Sequence, residues 1–170
     1  MKKLVSLMCY VMLLGLSLAK AYPAEDTKEL TPEQPMTNAV LEKILQDVQP
    51  GVKGDGGRWK MVWQGIPLLV FTDEFHNRLT IIAPAAEVTN INRDMLMRMI
   101  EANFVSALDV RYAAFQGIIW STFVHPLDSL RERDLLSALQ QVITLVKTTG
   151  TTYSSSALKF GVVSNEDEGK

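Results

Sequence analysis

Three stretches of the chain repeat apolar residues at helical spacing, and two groups of shorter stretches repeat them at strand spacing. After Thr37-Asn38, which supplies capping side chains, Val40, Leu41, Ile44, Leu45 and Val48 recur at three- and four-residue intervals. That spacing predicts a first amphipathic helix, stopped by Pro50-Gly51. Gly54-Asp55-Gly56-Gly57 reads as a turn cluster. The period then falls to two. Trp59, Met61 and Trp63 alternate with Lys60, Val62 and Gln64, as on one face of a strand. Gln64-Gly65 predicts a tight turn, and Ile66 to Thr72 a second strand with Pro67 near its start. Asp73 to Asn77 reads as another turn, and Leu79 to Ala83 as a third strand ending at Pro84.

Asn92 predicts the start of a second helix, whose stripe of Leu96, Ile100, Phe104 and Leu108 is flanked by Met99 and Val105. Arg111 to Phe115 and Ile118 to Val124 form a hairpin about Gln116-Gly117. The phrase aromatic-Gln-Gly-Ile occurs at both Trp63-Gln64-Gly65-Ile66 and Phe115-Gln116-Gly117-Ile118, which points to one turn chemistry used twice. His125-Pro126 stops the last strand. Ser129 with Glu132 has capping-box spacing for a third helix. Its stripe is Leu135, Leu136, Leu139, Val142, Ile143 and Val146, closed by Gly150. The order is α-β-β-β-α-β-β-α. Strands in groups, with helices between the groups, mean an α+β fold with an antiparallel sheet packed by helices.

The ends of the chain read differently. Met1-Lys2-Lys3 is a short basic region, Leu4 to Leu18 a nearly unbroken apolar run, and Ala19-Lys20-Ala21 a small-residue cleavage pattern. Residues 1–21 are therefore expected to be a signal peptide cleaved after Ala21, sending the protein to the periplasm or beyond. The run is short of the ~20 residues that span a bilayer, so no stable membrane anchor is expected after cleavage. Cys9 lies inside the run and does not end it, which argues against a lipid-modified cysteine. Residues 22–36 form a leader with three of the seven prolines and four acidic residues, and 164–170 a polar tail. One domain is expected between them, over 37–163.

Removing Lys2, Lys3 and Lys20 from the 17 basic residues leaves 14 against 19 acidic, a net charge of −5. That argues against nucleic acid, whose binding needs a basic stripe, and against an electrostatic grip on anionic lipid. With the single Cys removed at cleavage, the fold has no disulfide and must rest on its core.

Candidate chemistry is sparse. Ser154, Ser155 or Ser156 with His125 and Asp128 contain the residue types of a hydrolytic triad, but no Gly-x-Ser-x-Gly elbow holds the nucleophile. His125 before Pro126 reads more simply as a strand-end residue bonded to backbone. Asp73, Glu74 and His76 lack the further spaced ligand that a metal site needs, and read as a turn. Met95, Met97 and Met99 offer thioethers for copper, but at about 100° per residue Met97 points away from the other two. No catalytic residue, metal ligand or cofactor is therefore assigned, and no enzyme activity is expected. Trp59, Met61 and Trp63, with Met95 and Met99, are the candidate partner contacts, since exposed aromatic and thioether side chains adapt in shape and desolvate well. If helices cover that strand face, the Trp-Met-Trp trio is core instead.

Three phrases carry a family resemblance: Gly65-Ile66-Pro67-Leu68-Leu69-Val70, Leu96-Met97-Arg98-Met99-Ile100-Glu101-Ala102-Asn103-Phe104, and Phe123-Val124-His125-Pro126-Leu127. Together with the stretch from Leu135 to Val146 and Tyr153-Ser154-Ser155, they resemble the YbjN-type domains, which share the fold of type III secretion chaperones. The resemblance covers roughly 37–160. It implies a non-enzymatic module that dimerises and binds an extended segment of another protein, with no catalytic signature to transfer. The chain departs from the secretion chaperones in carrying an export signal. The alternative class is a cell-envelope sensor of a small ligand or of copper.

Overall fold

The computed structural model describes residues 34–157. The expected signal peptide, most of the leader and the polar tail lie outside them, as do the last residues of the expected domain. The order is helix α1 (Asn38–Val48), strands β1 (Lys53–Asp55), β2 (Arg58–Trp63), β3 (Ile66–Asp73) and β4 (Arg78–Glu87), a 3₁₀ turn (Val88–Asn90), helix α2 (Arg93–Val105), strands β5 (Arg111–Phe115) and β6 (Ile118–His125), and helix α3 (Glu132–Thr148). The six strands form one antiparallel sheet in the order β1-β2-β3-β4-β6-β5. The α+β architecture follows the sequence reading, with one strand added.

That strand is β1. The Gly54-Asp55 stretch expected as turn pairs in register with β2, Gly54 opposite Trp59. Gly54 sits at φ +125°, and a Cβ there would meet the Arg58 carbonyl, so glycine is what lets this strand approach so closely. The turn itself is Gly56-Gly57. Strand β4 also runs further than expected, through Pro84 to Glu87. The register with β6 shifts between Pro84 and Ala86, and a bulge is one of the few places inside a sheet that accommodates proline.

Both aromatic-Gln-Gly-Ile phrases close hairpins in the same way. Gln64 and Gly65 have φ of 50° and 80°, and Gln116 and Gly117 have 49° and 77°. Two consecutive left-handed residues make the turn whose twist matches the flanking strands. The turn at Gln64 is also tied to α3, because its side chain donates to Gln140 and accepts from Lys147, both at 2.8 Å.

Strand alternation sets the core. Trp59 and Met61, Leu68 and Val70, Leu79, Ile81 and Ala83, and Ile119 and Phe123 are buried on one sheet face, against Leu41 and Leu45 of α1 and a row from Leu135 to Leu145 of α3. Thr37 caps α1, accepting from Val40 N, and Asn92 caps α2, accepting from Met95 N at 2.9 Å. The capping box expected at Ser129 is not used. Arg131 is the N-cap of α3 and makes no side-chain cap hydrogen bond, while Glu132 and Asp134 in the first turn complement the positive end of the helix dipole.

Candidate protein-contact surface

Helix α2 differs from the other two helices in carrying two apolar faces. Met99 and Ala102 turn inward and are buried, Met99 to 1% exposure. Leu96, Met97, Ile100 and Phe104 turn outward, with Ile100 at 53% and Phe104 at 81% exposure. At about 100° per residue these four fall within a sector roughly 100° wide, and Asp94, Arg98 and Glu101 form a polar wedge beside it. A helix that is apolar on nearly every side is normally buried on nearly every side. The stripe of Leu96, Ile100 and Phe104, which reads in the sequence like a core face, points to solvent here.

The helix is held in this pose by polar contacts at its far end. Asn103 pairs with the backbone of edge strand β5, accepting from Tyr112 N at 2.7 Å and donating to Tyr112 O at 3.2 Å. Its amide occupies the hydrogen-bonding edge that another strand would otherwise use. Ser106 donates to Tyr153 O at 2.7 Å, and its carbonyl accepts from Ser155 N at 3.1 Å. The Tyr112 hydroxyl lies 3.1 Å from Leu145 O and 3.0 Å from the Thr149 hydroxyl, and burial pushes its pKa up to about 12.

The residues expected as partner contacts differ in exposure. Trp59, at 2% exposure, and Met61 are core, as is Met99; Trp63 and Met95 are half-buried. Helices cover the Trp-Met-Trp face, so Trp59 and Met61 support the fold, while the exposed apolar side chains of α2 are Leu96, Met97, Ile100 and Phe104. Met99 is buried and Met97 exposed, so these two thioethers lie on different sides of α2.

The candidate triad is not assembled. Ser155 Oγ donates to Ala107 O at 2.8 Å, and the Ser154 hydroxyl also bonds to backbone. His125 stacks on Phe123 and pairs with Pro126 O at 2.7 Å, as a strand-end residue would. Asp73 accepts from His76 N at 2.9 Å and lies 2.7 Å from the His76 ring. The ring contact first, then the backbone N–H, hold the Asp73 carboxyl below its usual value. Glu74 instead accepts from Asn38 N. Among the described residues no group of His, Cys, Asp or Glu is placed to hold a metal ion.

No family model matches the chain, and no curated protein matches it in sequence. Solved structures do share its fold. The ExsC–ExsE complex aligns with TM-score 0.53 at 10% identity, over 66% of this chain and 92% of that one. The HopA1–SchA chaperone–effector complex aligns with TM-score 0.52 at 16% identity, over 66% and 94%. The Yersinia pestis type III secretion chaperone SycH, in complex with a stable fragment of YscM2, aligns with TM-score 0.52 at 13% identity, over 66% and 98%. The fold is that of the type III secretion chaperones.

Proposed function

We propose that this chain is an exported, non-enzymatic, chaperone-like module of the YbjN type, which forms a homodimer and binds a segment of another protein. The observation that carries this reading is the outward stripe of Leu96, Met97, Ile100 and Phe104 on α2. Leu96, Met97 and Ile100 are about half exposed and Phe104 more so, and covering them against a partner contributes part of the ~1.5–3 kcal/mol that full burial of each such side chain gives. A second copy presents the same stripe, and two-fold packing of identical helices satisfies both at once. The similar structures support the wider role, since all three are complexes with a second protein. Export is supported by the basic, apolar and small-residue pattern of 1–21.

Sedimentation equilibrium tests the association. The chain is expected to sediment at twice its monomer mass, and Ile100→Glu with Phe104→Glu to halve that mass while circular dichroism stays unchanged. A monomer at tens of micromolar would sink the dimer. Protein binding is tested by pull-down from envelope extract of the source cell, where a specific partner is retained by the native chain and lost on competition with excess unlabelled chain.

A further inference from the structure

A groove of about 470 Å³ lies at the β1 margin of the sheet, where the chain passes from α1 into β1. Pro50, Val62, Pro67 and Leu69 form apolar walls, and Lys53 and Lys60 stand in it. It exists because β1 is short. That strand pairs with β2 from Arg58 to Lys60 and leaves Met61 to Trp63 without a strand partner on that side.

Lys53 and Lys60 are register partners, so two ammonium groups rise from directly opposed positions on one face. Like charges in that arrangement destabilise a sheet. Both lysines are exposed, and neither forms an ion pair among the described residues. Asp55, the acidic residue of β1, is the register partner of Arg58, with the Gly54–Trp59 pair between them and the lysines. On a chain whose net charge is −2, this is an uncompensated positive pair set beside an apolar wall.

We propose that the groove takes an acidic, apolar segment of a partner protein. A carboxylate sits between Lys53 and Lys60, and neighbouring apolar side chains lie on Val62, Pro67 and Leu69. The paired lysines beside Val62, Pro67 and Leu69 match the charge and the apolar side chains of such a segment. This rests on the protein-binding reading above and adds the chemistry of the bound segment. It also separates binding from dimerisation, because the groove flanks β1 while α2 is bonded to β5, at the opposite sheet margin.

The test is fluorescence anisotropy of the full chain with a short labelled peptide of glutamate, leucine and valine. The native chain binds it, and Lys53→Glu with Lys60→Glu weakens binding about tenfold or more, as the loss of two charge contacts implies. A peptide with lysine for glutamate regains affinity for the charge-reversed chain. Lys53→Met with Lys60→Met gives an intermediate loss and guards against a folding artefact. No binding by the native chain, or equal binding by the charge-reversed chain, overturns the proposal. So does loss of the dimer in the charge-reversed chain, which would assign the groove to a second copy. Binding to phosphatidylglycerol vesicles in place of the peptide would assign it to lipid and overturn it as well. Sedimentation of the same samples keeps the two readings apart, because a monomer that still shows the charge-swap pattern removes the dimer and leaves the groove.

Discussion

Tyr112 is the residue at which burial and titration meet. Its ring packs edge-on to Tyr153, with centroids 6.3 Å apart, while its hydroxyl contacts the end of α3. Burial raises its pKa from 10.0 to about 12, so the fold favours the neutral hydroxyl. The stability this contributes is complete below about pH 10 and is lost as pH rises through about 12. Ultraviolet titration should show a late-titrating component that is lost in Tyr112→Phe, and that variant should lose about 1 kcal/mol at neutral pH. At Gly54 the argument is steric. Gly54→Ala places a methyl against the Arg58 carbonyl at a φ that alanine resists, and should cost more than about 1 kcal/mol in denaturant unfolding. The sequence showed Gly54 as a turn former, because glycine in a turn and glycine in a closely approached strand look alike until the neighbouring strand is known.

Among the elements, α2 gives the sharpest contrast. Met99→Ala removes a buried side chain and should destabilise the fold by about 2–5 kcal/mol, read from the unfolding midpoint. Ile100→Ser, one position on, should change the stability of the monomer by no more than about 0.5 kcal/mol while weakening self-association. A reading from periodicity alone assigns these two the reverse importance, because Leu96, Ile100 and Phe104 make the cleaner four-residue repeat. Periodicity reports that a face is apolar. It does not report whether this chain or another covers it. The hairpins were legible for the opposite reason, since a Gln-Gly turn is decided by the backbone freedom of two adjacent residues and needs no distant contact.

For the whole molecule, the sheet order decides what lies where. With β1 and β5 at opposite margins, the Lys53–Lys60 groove and the α2 stripe become separate surfaces on one core. If 1–21 is a signal peptide, intact mass measurement of the exported protein should find Tyr22 as its first residue. With the single cysteine at position 9 removed, thermal unfolding of that species should be indifferent to reductant.

The sequence by itself determined the helices, the two Gln-Gly hairpins, the α+β class and the absence of a recognisable catalytic motif. Those features rest on local spacing, turn chemistry and capping, which act within a few residues of the chain. Tertiary structure alone decided that Trp59 and Met61 are core, that Ser154 and Ser155 bond the end of α2, that Asn103 covers the β5 edge, and that Lys53 stands opposite Lys60. Each depends on which side of an element meets a neighbour distant in sequence. An apolar side chain is equally at home in its own core or against a partner, because removing it from water is favourable in either place.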